Sequence, residues 1–297
     1  MKKYDDLRLA VGLPAFNEER NIASIVLKLK KITDTVIVCD DGSTDLTNTI
    51  ATELGAIVVK HAKNTGYGAS IRTIFLKAKE LGVDVLITFD ADGQHQVEDI
   101  PAIVEPIVKD VADIVIGSRF LNGDDTVPKY RKFGIKTITG LTNTTTGSKI
   151  TDAQSGFRAY NKKALLDIHP SDAGMGVSTE ILIKASKQKL RISEVPITIL
   201  YHEHTSTHHP VTHGASVILS TMKFVSIERP LTFYGIPGII LLGIGLFFIL
   251  WALQIFSIER QVITNIALTG IGGVVIGTLL LITAIILYSV VSVVRER

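Results

Sequence analysis

Apolar positions in the first two-thirds of the chain form short unbroken runs that alternate with stretches of helical spacing. The runs at 9–13, 35–39, 56–59, 83–89 and 114–117 predict buried strands. Between them, Ile22, Ile25, Val26 and Leu29 recur three and four residues apart and predict a helix over 18–31. Further helices are predicted over 45–54, 69–81, 100–108 and 179–189, and a last strand over 193–201. Such alternation implies an α/β fold, a mostly parallel sheet covered by helices on both faces. Right-handed crossovers then gather the carboxyl ends of the strands on one edge. From 118 to 150 the pattern weakens into Gly, Asn, Asp and Pro, a basic segment (Lys129, Arg131, Lys132) and a Thr-rich stretch, with no element assigned.

The last third differs. Residues 231–256 are apolar apart from Thr232 and Gln254, and 266–294 carry no charge. Each run exceeds the roughly 20 residues that cross a bilayer core. Two transmembrane helices are therefore expected, preceded at 214–230 by an amphipathic segment that suits a helix on a membrane surface or an ordinary core helix equally. The expected domains are 1–213, the interfacial segment 214–230, and the helix pair 231–297. Lys223 and Arg229 precede the first span, Arg295 and Arg297 follow the second, and the connecting loop offers only Glu259 and Arg260. That asymmetry predicts an integral, multi-pass protein with its first domain and both termini cytoplasmic. Gly273 and Gly277 form a Gly-x-x-x-Gly pair, suited to seating one helix on another or to facing lipid.

Composition adds less. The chain has 297 residues, 46% of them hydrophobic, with mean hydropathy +0.33. Those two runs account for the apolar excess. The net charge of +2 and the lack of a basic tract with interleaved aromatics argue against nucleic acid. Cys39 is the single cysteine, lies in an apolar run and reads as an inert buried thiol. Residues 1–8 are charged and lack the apolar core of a signal peptide.

Candidate chemistry lies at the strand ends. The run 83–89 leads into Asp90-Ala91-Asp92-Gly93-Gln94-His95, two carboxylates one residue apart. Ligands of open α/β sheets bind outside the carboxyl ends of strands. Carboxylates there suit a hard divalent cation that shares its shell with phosphate oxygens. The run 9–13 leads into Pro14-Ala15-Phe16-Asn17-Glu18, and 35–39 into Asp40-Asp41-Gly42-Ser43, so three polar clusters converge on one crevice. Residues 40–45 also suit a helix cap, with Ser43 or Asp45 as the capping residue.

These motifs, with Asn64-Thr65-Gly66-Tyr67-Gly68, resemble in order those of family 2 glycosyltransferases, which have the GT-A fold. Gly117-Ser118-Arg119-Phe120 and Asp152-Ala153-Gln154-Ser155-Gly156-Phe157-Arg158 are similar to its polyprenyl-phosphate branch, typified by dolichol-phosphate mannose synthase. The resemblance covers roughly residues 8–213. It implies a GT-A catalytic domain followed by a transmembrane hairpin. It also implies Mg²⁺ or Mn²⁺ on Asp90, Asp92 and Gln94, with a GDP- or UDP-sugar on Pro14, Phe16, Glu18, Asp41, Asp90, Ala91, Asp92 and Gln94. Glycines at 66 and 68 are expected to let the backbone approach the nucleotide.

Arg119 and Arg131 match the branch's acceptor-phosphate arginines, and Ser155 its acceptor side. Asp92, Arg119 and Arg131 are the expected catalytic set. A phosphate acceptor, with a second pKa of about 6, requires no general base. In the branch, a loop after the last strand brings an Arg and a Lys to the donor phosphates. The matching positions here are His202 and His208, in a stretch from His202 to His213 that holds five of the eight histidines. Phosphate-facing imidazoles are the favoured role, with a plain polar loop or a zinc site as alternatives.

The expected activity is inverting transfer of one sugar to a polyprenyl phosphate at the cytoplasmic face of a bilayer. Transfer to a hydroxyl acceptor would need a general base, with Asp152 the first candidate. A non-catalytic nucleotide-sugar-binding scaffold would have no use for Asp90, Asp92 and Arg119 together. A processive synthase is disfavoured by the absence of Gln-x-x-Arg-Trp, and a transporter by spans without charged groups.

Overall fold

The computed structural model describes residues 7–121, 129–199, 222, 226 and 230–295. The chain divides into two compact units, Met1–Thr221 and Met222–Arg297. That division falls inside the segment expected to be interfacial. Of that segment, only Met222, Ser226 and Pro230 belong to the described residues.

The first unit is built on seven strands: β1 (Leu9–Ala15), β2 (Thr35–Asp40), β3 (Ile57–Lys60), β4 (Val85–Thr88), β5 (Ile114–Ser118), β6 (Arg158–Asn161) and β7 (Ile192–Pro196). They lie in the order β3-β2-β1-β4-β6-β5-β7. The pairs β1–β2, β1–β4, β2–β3 and β5–β7 are parallel. β6 enters antiparallel between β4 and β5, with Thr88 opposite Arg158 on one side and Ile116 opposite it on the other.

Alternation along the strands separates two cores. Leu9, Val11 and Leu13 of β1 pack with α1 (Ile22–Leu29) and α4 (Ile100–Val108). Ala10, Ile37 and Leu86 face α3 (Tyr67–Glu80) and α7 (Val177–Lys187) on the other side. α2 (Thr47–Glu53) joins the first layer, and α6 (Lys162–Asp167) the second. Gly12 lies directly under Ile74, so α3 closes on β1 at a position where a methyl group would collide.

Three elements go beyond the sequence pattern: β6, α6 and the 18-residue helix α5 (Lys129–Thr146). β6 is the antiparallel member of the expected mostly parallel sheet. Because it runs backward, it starts where its parallel neighbours end, so the preceding residues 152–157 arrive at the same edge.

The second unit comprises a π-helical turn, Leu231–Gly235, then α8 (Ile236–Glu259) and α9 (Thr264–Arg295). By length and apolarity both helices can cross a membrane. They meet along glycines. A Cβ on Gly245 would lie 2.8 Å from the Gly270 carbonyl oxygen, and one on Gly277 would lie 2.6 Å from the Leu242 nitrogen. Gly273 meets Gly245 backbone to backbone, so the Gly-x-x-x-Gly pair seats one helix on the other.

Candidate active site

Helices start late around the crevice because its loops are bound to each other. α1 begins at Ile22 and α2 at Thr47, although apolar spacing carries both back to Glu18 and Asp45. The Asn17, Glu18 and Glu19 N–H groups donate to Ser43 Oγ (2.9 Å), Thr47 Oγ1 (2.7 Å) and Asp45 Oδ2 (3.1 Å). Asn17 takes the left-handed conformation, φ 56°, and its side-chain oxygen accepts from the Thr44 N–H. Of the two candidate caps, Asp45 accepts from the Thr47 N–H at 3.0 Å ahead of α2, while Ser43 holds the β1 loop instead.

Asp40 and Asp41 end β2. Asp41 is 4% exposed, and its oxygens accept from Thr65 N–H (2.9 Å), Thr65 Oγ1 (2.7 Å), Gly66 N–H (2.8 Å) and His61 Nδ1 (2.7 Å). Burial pushes its carboxyl up, but these donors outweigh it and hold the pKa below the ordinary value. His61 Nε2 in turn sits 2.8 Å from Thr73 Oγ1 on α3. Asp41 therefore acts first as the anchor of the 65–66 turn. Burial raises the thiol of Cys39, beside His61, to about 11, which fits the inert role.

The glycines of this turn also serve packing within the chain. Side chains on Gly66 and Gly68 would run into the backbone of residues 172–174. The Gly68 N–H donates to the Ala173 carbonyl at 2.9 Å. What comes close here is a loop of the same chain, which is held by Glu180: its carboxylate accepts from the Ser171 and Asp172 N–H groups at 2.9 and 2.8 Å.

After β4, Phe89 is fully buried and Asp90 turns into the crevice between two donors. Tyr67 donates to Oδ1 at 3.1 Å, and His95 Nε2 lies 3.1 Å from Oδ2. Gly156 closes the third side, where a Cβ would sit 2.7 and 2.8 Å from the two carboxylate oxygens. Burial acts to raise Asp90, but His95 and Tyr67 outweigh it, with the Arg119 charge adding to them, and its pKa falls below the ordinary value. The Gln94 N–H donates to the Asp92 carboxylate at 3.0 Å. Burial, and then repulsion from Asp90, push it up to about 6. Glu18 is raised as well, by burial first and then by repulsion that includes Asp92 and Asp90, although Asn21 donates to it at 2.8 Å. Asp92 and Glu18 are thus under-compensated beside an Asp90 that its donors hold ionised.

Arg119, immediately after β5, forms a forked pair with the buried Asp152: Nε to Oδ2 at 2.6 Å and Nη2 to Oδ1 at 2.7 Å. Among the described residues, Ser155 Oγ is buried without a hydrogen-bond partner. Arg158 is fully buried and donates to the carbonyls of Ser155, Ser178 and Ala153.

The crevice therefore brings together Glu18, Asp90, Asp92, Gln94 and, through its charge, Arg119. Pro14 pairs with Cys39 inside the sheet, and Phe16 is half-buried beside it. The methyl of Ala91 is buried in the core with Ile22 and Phe89. Arg131 falls in α5, and its side chain lies outside the described residues, as do His202 and His208. Ile199 bridges to His95, so the chain passes the Asp90 turn just before the histidine segment. His61, absent from the sequence reading, follows β3 and is detectable by the same strand-end rule.

The sequence profile of Glycosyl transferase family 2 matches residues 10–168. A "UDP-N-acetylglucosamine--dolichyl-phosphate N-acetylglucosaminyltransferase" of Methanococcus voltae is 37% identical over 234 residues, which cover 71% of this chain and 91% of that protein. A "Dolichyl-phosphate hexose transferase" of Haloferax volcanii is 31% identical over 228 residues, covering 76% and 96%. Among solved structures, the glucosyl-3-phosphoglycerate synthase of Mycobacterium tuberculosis with Mn²⁺, UDP-glucose and phosphoglyceric acid has a TM-score of 0.58 at 21% identity, covering 75% of this chain and 81% of that one. It shares the fold.

Proposed function

As a member of glycosyl transferase family 2 this chain is a glycosyltransferase, and we propose that it transfers a single sugar from a nucleotide-sugar to a polyprenyl phosphate, with inversion. The observation that carries this reading is the under-compensated charge of Asp92 beside Asp90 and Glu18. Among the described residues, no three His, Cys, Asp or Glu side chains form a complete ligand set. A cation there would be completed by ligands from outside the chain, as a diphosphate supplies. Asp90, Asp92 and Gln94 would hold Mg²⁺ or Mn²⁺, which when bound offsets the charge that builds on a departing diphosphate.

The chain's own residues divide the rest of the work. Tyr67, His95 and Gly156 fix Asp90 in one orientation and keep it ionised. Pro14, Phe16 and Glu18 line the nucleotide side, while Asp41 shapes it by holding Thr65 and Gly66. The name of the Methanococcus voltae relative favours UDP over GDP. Arg119, oriented by Asp152, offers charge to the acceptor phosphate, with Arg131 and Ser155 on the same side. A phosphate nucleophile displaces the nucleoside diphosphate directly, so one step inverts the anomeric carbon.

The hydroxyl-acceptor alternative loses its proposed base, because both oxygens of Asp152 are committed to Arg119. The two long apolar helices would cross the bilayer and keep the site at the surface where a lipid phosphate lies, with the transferase unit cytoplasmic.

Full-length protein in detergent, given Mn²⁺, undecaprenyl phosphate and a panel of labelled UDP- and GDP-sugars, tests this reading. One labelled sugar-phosphoryl-polyprenol of inverted configuration is expected. Label appearing only on a hydroxyl-bearing glycolipid, and none on polyprenyl phosphate, would overturn it.

A further inference from the structure

Arg119 is gripped from both ends, and both grips end on Glu194. This carboxylate stands on β7, opposite Ile116 of β5. It accepts from the Thr151 N–H at 3.0 and 2.8 Å, the Asp152 N–H at 3.0 Å and Thr151 Oγ1 at 3.1 Å. Asp152, whose backbone is set this way, carries the fork that orients the Arg119 guanidinium.

The second grip runs through hydroxyls. A carboxylate only accepts, so Thr151 must donate to Glu194, and Ser118, 2.6 Å from Thr151 Oγ1, must then donate to Thr151. Ser118 Oγ accepts from the Phe120 N–H at 3.2 Å. The chain of donors thus runs from Phe120 through Ser118 and Thr151 to Glu194, and it ties down both neighbours of Arg119. Ser118 is 1% exposed, so water does not replace these bonds readily.

We propose that Glu194 is a positioning residue for the acceptor phosphate: it sets the Arg119 guanidinium through Asp152 and through the Ser118–Thr151 hydroxyls. This rests on Arg119 being the acceptor seat. Glutamine at 194 keeps one acceptor oxygen and turns an NH₂ group toward N–H donors, so the 151–152 backbone must move. The guanidinium then moves with Asp152.

Glu180 supplies the matched control. Like Glu194 it is a carboxylate that accepts two successive backbone N–H groups, but its loop, 171–174, packs on Gly66 and Gly68 at the far side of the crevice. A merely structural role would affect the two sides alike.

Full-length variants Glu194→Gln, Glu180→Gln and Arg119→Ala would be assayed for KM toward undecaprenyl phosphate. Their affinity for UDP or GDP with Mn²⁺, whichever binds the parent, would be measured calorimetrically. Glu194→Gln is expected to raise the acceptor KM roughly tenfold while nucleotide affinity stays within about twofold, and Glu180→Gln to show the opposite split. Thr151→Ala, which cuts only the hydroxyl chain, gives a smaller shift in the Glu194→Gln direction and serves if that variant does not fold. If Arg119→Ala raises the acceptor KM but neither Glu194→Gln nor Thr151→Ala does, the positioning role is wrong. If Arg119→Ala leaves the acceptor KM unchanged, the acceptor assignment itself fails, and the positioning role with it.

Discussion

β2 and β4 end alike. Each runs from a buried apolar stretch into two carboxylates and then a glycine in the left-handed region, Gly42 at φ 76° and Gly93 at φ 77°. Their hydrogen bonds differ. At β2, Asp41 accepts from two backbone N–H groups, a hydroxyl and an imidazole, and Asp40 accepts from the Ser43 N–H with Lys60 at 3.9 Å. At β4, Asp92 accepts from the Gln94 N–H and is repelled by Asp90, which itself accepts from Tyr67 and faces His95. Asp41 is folded into the protein as a brace. Asp92 is left in want of positive charge. Acids at two similar strand ends thus differ in how far the chain satisfies them, a distinction that lies in donor geometry and not in residue type.

Substitutions at the two strand ends should therefore diverge. The largest effect is expected from Asp92→Asn, which should lower the rate of sugar transfer by about 10²–10³-fold, read as labelled lipid formed per minute at saturating Mn²⁺. Parent-like transfer would put the two strand ends on an equal footing.

Asp41→Asn should act on stability, because an amide turns an NH₂ toward groups that donate. A fall in Tm of roughly 5 °C at pH 7.5 is expected by thermal unfolding in detergent. Asp41 has its pKa lowered on folding, so its contribution is present above the unfolded-state value and fades as pH falls through the folded one. The gap between variant and parent should accordingly shrink in acid.

The smallest effect is the most telling. Asp92 is raised to about 6 on folding, so its ionisation opposes the fold above that pH, and the penalty is gone below the unfolded value near 4. Without divalent cation, Asp92→Asn should raise Tm by roughly 3 °C at pH 7.5 and leave it unchanged near pH 4. A uniform drop at both pH values would mean that Asp92 is a brace like Asp41.

The parallel strands and the crevice they form were legible because each strand is an apolar run ending in polar residues. β6 was not, since four residues, Arg158–Asn161, are too few to show a period and one of them is a buried arginine. α5 was obscured by its threonines and glycines, which score poorly as helix formers. In the folded chain Thr142, Thr144, Thr145 and Thr146 each donate to the carbonyl four residues earlier, and Thr139 accepts from the Ala153 N–H. The acids of the site were visible by type and spacing. Their separation into a satisfied Asp41 and an under-compensated Asp92 was not, because it depends on His61, Thr65 and Gly66, which come near Asp41 only through the parallel register of β2 and β3. Glu194 was hidden for the same reason, since it reaches Thr151 from 43 positions away.

The glycine seam between α8 and α9 has an entropic consequence. Glycine has no rotamers to freeze, so where Gly245 meets Gly273 and Gly238 meets Gly277, docking costs side-chain freedom on neither helix. The bulky groups lie elsewhere: Ile239, Phe247 and Leu250 are each at least 60% exposed. Pairing of the helices takes no further torsional freedom from them. A hairpin joined backbone to backbone in this way can hold one internal geometry while its outer side chains rearrange to fit whatever apolar surroundings they meet.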